Sequence, residues 1–94
     1  MNWQPEKMTD LAAAIFRLER ELPGWWWSVG ACHVSADASI GPDYNGPAAH
    51  LGEIKLFDEG FHNDLRQPAT CAEALHACID EALEALRKHA EQAA

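Results

Sequence analysis

Apolar residues recur at helical spacing near the N-terminus of the chain. Between residues 5 and 21 they form one stripe, made of Met8, Leu11, Ala12, Ile15, Leu18 and, just beyond, Leu22. Proline at position 5 suits a first helical turn. The Leu22-Pro23-Gly24 sequence ends a helix, because proline cannot continue the hydrogen-bond ladder and glycine accepts left-handed angles. The pattern predicts a helix over residues 5–21.

A second helical pattern occupies the C-terminal part. Thr70 and Glu73 have the spacing of a capping box, in which the threonine caps the helix and the glutamate reaches back to the threonine N–H. The pattern predicts a helix from this box to about residue 90. Its apolar stripe consists of Cys71, Leu75, Ile79, Ala82 and Leu86, and its polar face carries Glu73, Asp80, Glu84 and Arg87.

Residues 25–40 alternate in a way that is typical of extended chain. Because these sixteen residues exceed the usual ~5–6 of a strand, a bend or bulge is expected, most simply at Gly30. The even-numbered positions are assigned to the core face: Trp26, Ser28, Gly30, Cys32, Val34, Ala36, Ala38 and Ile40. The odd-numbered positions then face away from the core.

Two further strands are predicted after a loop over residues 41–49, which is rich in proline and glycine. Residues 50–57 form the first of them, with Ile54 and Leu56 inward and Glu53 and Lys55 outward. A tight turn at residues 58–60 follows, where Gly60 is free to take a positive φ. Residues 61–65 form the last strand.

The order helix, three strands, helix predicts an α+β fold. It is a single αβββα domain over residues 1–94, with a three-stranded antiparallel sheet and both helices packed on one face. The expected core comprises Leu11, Ile15, Leu18, Cys32, Val34, Ile54, Leu56, Phe61, Leu75, Ile79 and Leu86.

Charge narrows the choice of partner. Fifteen acids against seven bases give a net charge of −8 and a pI near 4.9, which disfavours binding to DNA or RNA. These acids either keep the protein soluble or form an acidic face that attracts a basic protein or mimics nucleic acid. The members of such a face would be Glu73, Asp80, Glu81 and Glu84. The chain shows neither a membrane span nor a signal peptide. A cytoplasmic location is therefore expected. Three cysteines without a CxxC pair indicate reduced, buried thiols.

Candidate chemistry is sparse. His62 and Asp64 share a strand face, with Asp58 close by at the turn and His33 able to lie across from them, but their spacing matches no metal motif. The adjacent Cys32 and His33 point to opposite faces of an extended strand, which disfavours a nucleophile–base pair. We therefore predict a protein that is not an enzyme, without catalytic, cofactor-binding or metal-binding residues.

Three consecutive tryptophans provide the candidate binding site. If Trp26 faces the core, Trp25 and Trp27 lie on the opposite sheet face with Val29, and Phe57 joins them from the next strand. Such an apolar patch marks a docking site, for a second copy of the chain or for another protein. The alternative is intramolecular cover, in which an indole folds over the sheet edge or packs on Trp3 and the 41–49 loop.

Two stretches carry resemblances to known families. The runs LPGWWWSVG, CHVSADASIGPD and FDEGFHNDLRQPATCAEAL resemble small uncharacterised proteins of proteobacterial phages and prophages. This resemblance implies a phage or bacterial origin and no particular activity.

The second resemblance is to the end of HicB-type antitoxin domains, where a strand leads through a short loop into a T-x-E-E-A-L helix. It is carried by Gly60-Phe61, Asp64-Leu65, Thr70 and Glu73-Ala74-Leu75, and Ala72 departs from the first glutamate. It implies an antitoxin-like role against a toxin-like protein. The element order is also similar to the double-stranded RNA-binding fold, but Glu73 stands where that fold needs a basic helix start.

Overall fold

The computed structural model describes residues 10–42 and 60–93, and the structural statements below concern this part of the chain. It contains helix α1 (Leu11–Glu21), strands β1 (Trp26–Ala31), β2 (Ser35–Gly41) and β3 (Phe61–Arg66), and helix α2 (Cys71–Ala93). The strands form an antiparallel sheet in the order β1-β2-β3. The predicted α+β class and the helix–strand–strand–strand–helix order are confirmed.

Helix α1 begins later than the sequence pattern indicates. Asp10 has extended backbone angles, and its side chain accepts a hydrogen bond from the N–H of Ala13 at 3.3 Å, which makes it the N-cap. A helix that runs unbroken from residue 5 is therefore wrong. The predicted end is correct: the N–H of Leu22 donates to the carbonyl of Leu18, and Gly24 takes a φ of 85°.

The capping box of α2 is present. The Thr70 hydroxyl accepts from the Glu73 N–H at 3.2 Å, and the Glu73 carboxylate accepts from the Thr70 N–H at 3.0 Å. These two bonds provide acceptors for backbone N–H groups at the start of the helix, which have no partner within the helix itself.

The single extended segment predicted over residues 25–40 is instead a hairpin. The Cys32 N–H donates to the Ser35 carbonyl at 2.9 Å and closes a turn between β1 and β2. Gln67, which follows β3, donates from its N–H to the Val34 carbonyl and from its side chain to the Cys32 carbonyl, both at 3.0 Å. The turn is thus held from a distant part of the sequence.

This turn reverses the predicted face of β1. The register joins Trp27 to Ile40 and Val29 to Ala38, and residues directly opposite each other in an antiparallel pair share a face. The odd-numbered residues of β1 therefore lie with the even-numbered residues of β2. The assignment of Trp26, Ser28 and Gly30 to the core face is wrong, whereas that of Ala36, Ala38 and Ile40 is correct.

The core lies between this sheet face and the two helices. Helix α2 packs mainly across β2 and β3, touches β1 least, and packs against α1 at its side. One cluster of buried residues joins all the layers: Ala14, Leu18, Leu22, Trp25, Ala38, Ile40, Ala72, Ala74, Leu75, Cys78, Ile79 and Ala82. Both helices therefore contribute to the core on the same face of the sheet.

Most of the predicted core is confirmed. Leu18, Leu75 and Ile79 are buried, and four more members of the expected set pack half-buried against the cluster: Leu11, Ile15, Phe61 and Leu86. Cys32 and Val34 are exposed, contrary to prediction, because they lie in the hairpin turn. Ile54 and Leu56, with the strand predicted over residues 50–57, lie outside the described residues.

Candidate functional site

The three consecutive tryptophans occupy three different environments. Trp25 is only 9% exposed and stacks on Phe61, with 6.2 Å between ring centroids and 21° between planes. Trp26 and Trp27 are 44% and 40% exposed. Since neighbours on a strand point to opposite faces, Trp26 lies on the open face of the sheet and Trp27 on the helix-covered face.

The predicted docking residues are therefore not on one open face. Trp25 and Val29 pack against the core on the helix-covered side, where Trp25 is buried and Val29 is half-buried. Trp27 shares that face but stays exposed, because α2 covers β2 and β3 more than β1. Phe57 lies outside the described residues. Sequence reasoning missed Trp26, which the corrected register places at the surface.

The Trp26 ring packs against the backbone of two glycines, Gly41 and Gly60. A methyl group at Gly41 would lie 2.5 Å from Cζ2 of the Trp26 indole, and one at Gly60 would lie 3.3 Å from the same atom. Only residues without a side chain let the ring lie this close to the backbone. The ring thereby packs against the sheet, while nearly half of the residue's surface remains open to solvent.

We call the exposed part of β1 the tryptophan edge: Trp26, Trp27, Ser28 and Ala31, with the strand's unpaired side. Among residues 10–42 and 60–93, β1 pairs only with β2, and no described strand lies along its other side. The strand sequence WWSVGA contains no charged residue and no proline. Natural edge strands are generally protected by such residues. The tryptophan edge is therefore chemically suited to accept another strand.

The remainder of the open face is polar. The Ser39 hydroxyl and His62 Nδ1 are hydrogen-bonded at 2.7 Å. Asp37 and Asp64 face each other across β2 and β3 in the register, and the Asp37 carboxylate leans over Gly30. The prediction that His62 and Asp64 share a strand face is confirmed, whereas His33 lies in the exposed turn.

The hydrogen bonds within this polar group are few. Ser39 and His62 resemble a nucleophile and a base, but no hydrogen bond between His62 and Asp64 is found among the described residues to orient the imidazole. One open cleft of the described part lies beside Phe61 and α2, and a second is lined by Asp64 of this group together with Val34 and Arg66. In the described ranges, no group of three or more His, Cys, Asp or Glu side chains could hold a metal ion.

The three thiols are free but differ in exposure. Cys32 is exposed, contrary to the predicted burial, and hydrogen bonds from the Val34 backbone and the Ser35 hydroxyl lower its pKa. Cys78 is buried and donates to the Ala38 carbonyl at 3.3 Å, and burial raises its pKa. Cys71 donates to the Gly30 carbonyl at 3.2 Å. The thiols of Cys71 and Cys78 thus hydrogen-bond α2 to the backbone of β1 and β2, respectively.

The acids of α2 have partners within the chain. Asp80 pairs with Arg17 at 2.6 Å, and Arg87 pairs with Glu84 and Glu91. Glu81 accepts a hydrogen bond from Asn63 at 2.9 Å. With Glu73 engaged in the capping box, all four acids proposed for a binding face make intramolecular bonds.

Comparisons with protein-family models, curated proteins and solved structures find no match to this chain. Neither helix of the described residues has the length and apolar character needed to cross a membrane.

Proposed function

We propose that this chain is a non-enzymatic protein-binding module that contacts its partner through the tryptophan edge. The observation that carries the proposal is an uncharged edge strand with an exposed indole on each of its faces. An incoming strand would hydrogen-bond to the free backbone of β1, and its alternate side chains would cover Trp26 on one face and Trp27 on the other. The proposal includes the phage or prophage origin implied by the resemblance and a cytoplasmic location.

Tryptophan favours this role energetically. It combines a large apolar surface with few rotatable bonds, and it is enriched among the residues that dominate binding energy. Gly41 and Gly60 leave room for the Trp26 ring to lie against the sheet, with part of its apolar surface still open to a partner.

An antitoxin-like or nucleic-acid-mimicking inhibitor of a basic protein is the competing interpretation, and a metal-dependent enzyme is a weaker one. Mimicry of a phosphate backbone needs acids free to meet the partner's lysines and arginines. The ion pairs of Asp80 and Glu84 with arginines of this chain reduce that potential. The structure therefore supports the tryptophan edge better than the acidic face.

Affinity capture tests the proposal. The purified chain is immobilised and exposed both to proteobacterial lysate and to soluble copies of itself, beside a Trp26→Ser/Trp27→Ser variant. Phe16→Ser is the control, since Phe16 is an aromatic residue of α1 that is 65% exposed and is not part of the tryptophan edge. We expect a stoichiometric protein ligand on the parent and on the control, and loss of that ligand from the double variant. Equal retention by all three folded proteins, or no ligand on any, would contradict the proposal.

A further inference from the structure

We propose that the partner is a second copy of this chain, added antiparallel along β1 so that the two described three-stranded sheets become continuous. This inference rests on the proposed function, because it names the occupant of the tryptophan edge. The two copies would be related by a two-fold axis perpendicular to the sheet, and two-fold symmetry is the commonest symmetry of soluble homo-oligomers.

The contrast between the two edges of the sheet supports self-association through β1. The other edge strand, β3, carries His62, Asp64 and Arg66 on its open face, whereas β1 carries no ionisable group. Charges along an edge oppose pairing of identical strands. Two copies that each carry a net charge of −8 can approach most closely where the surface has no charge, and the β1 edge is such a place.

Symmetry fixes which residues can face each other. An axis perpendicular to the sheet keeps the open faces of both copies on the same side, so paired residues must have the same parity. A register centred on Ser28 places Trp26 opposite Gly30 of the second copy and Trp27 opposite Val29. Each indole then lies beside a smaller residue. The same large-on-small packing occurs within the chain, where Trp26 lies over Gly41.

Salt dependence distinguishes a second copy from a basic partner. Like-charged copies repel, so screening by salt should strengthen their association. A basic protein held by the acids of this chain would instead be released by salt. Because a single strand pair of six residues is a small interface, we expect a dissociation constant in the micromolar range.

The test uses opposite charges at the symmetry centre. Ser28 is exposed on the open face, and Ser28→Lys or Ser28→Asp would place two like charges directly opposite each other in the dimer. By sedimentation equilibrium, the parent should pass from monomer to dimer with rising concentration, and each variant alone should associate at least about tenfold more weakly. An equimolar mixture of the two variants should recover the dimer, because lysine then faces aspartate.

Ala12→Lys is the matched control, since it adds the same charge at an exposed position of α1 and should dimerise like the parent. Circular dichroism confirms that each variant is folded. A parent that stays monomeric at all concentrations and salt levels would overturn the inference, as would a mixture that associates no better than its components. A monomer that still captures another protein through its tryptophans would overturn self-association alone. Absence of any tryptophan-dependent ligand would overturn the proposed function as well.

Discussion

The indole of Trp26 lies directly against the backbone of Gly41, its partner across the β1–β2 ladder. A Cβ at Gly41 would be 2.5 Å from the ring, closer than side-chain atoms approach each other. We expect Gly41→Ala to push the ring off the sheet, because the half-exposed indole can move more easily than the strand. The indole N–H resonance of Trp26 should shift, with a loss of roughly 1–3 kcal/mol in the free energy of unfolding. An unchanged resonance would contradict the packing described.

Gly60 should tolerate a side chain less well than Gly41. Its φ is 73°, and a Cβ there would meet the Ile40 carbonyl oxygen at 2.3 Å. Gly60→Ala should lower the free energy of unfolding by roughly 1–3 kcal/mol, because neither the angle nor the backbone contact can relax cheaply. Gly30→Ala is the control: its nearest neighbour is the movable Asp37 carboxylate at 3.0 Å. Urea denaturation should show a clearly smaller effect at Gly30, and equal effects would refute this account.

The three cysteines should react with iodoacetamide in order of exposure. Cys32 is exposed and its lowered pKa gives more thiolate at neutral pH, whereas Cys78 is buried and its pKa is raised. Peptide mass spectrometry of briefly alkylated, folded protein should find Cys32 modified first and Cys78 last. Alkylation in urea provides the control, because unfolding removes the difference in access. Early modification of Cys78 in the folded protein would contradict its burial.

His76 should make the fold sensitive to mild acid. Burial and the adjacent Arg17, whose Nη1 lies 2.9 Å from His76 Nδ1, lower the pKa of the imidazole below its usual 6.5. The unfolded chain therefore binds this proton more readily, so the stability contributed by neutral His76 is lost as the pH falls below about 6.5. His76→Gln should weaken the fall in urea midpoint between pH 7.5 and pH 5.5. Parallel pH profiles of parent and variant would show that His76 is not responsible.

The helices could be predicted from sequence because their signals are local. The Thr70–Glu73 box and the Leu22-Pro23-Gly24 stop act within one helical turn, and both are confirmed. The hairpin was missed because Cys32, His33 and Val34 include none of the residues that commonly mark turns. The length of the predicted strand was the available signal, since sixteen extended residues suit two strands better than one.

The candidate site depended on that missed turn. In one continuous strand, Trp26 would share a face with Ala38 and Ile40. In the observed register the odd-numbered residues of β1 share that face instead, so Trp25 lies in the core and Trp26 at the surface. The exposure of Trp27 could not be read from alternation at all. It follows from the position of α2, which packs across β2 and β3 and touches β1 least.

The bonds from Gln67 to the hairpin turn link early and late parts of the chain. The contacts between β1 and β2 are close in sequence and can form quickly, but the Cys32 and Val34 carbonyls meet their Gln67 donors only when β3 has joined the sheet. A fragment that ends at Pro42 would lack those donors, and an isolated hairpin is at best marginally stable in water. We therefore expect the sheet to fold as one cooperative unit, with the hairpin completed by the last strand to arrive.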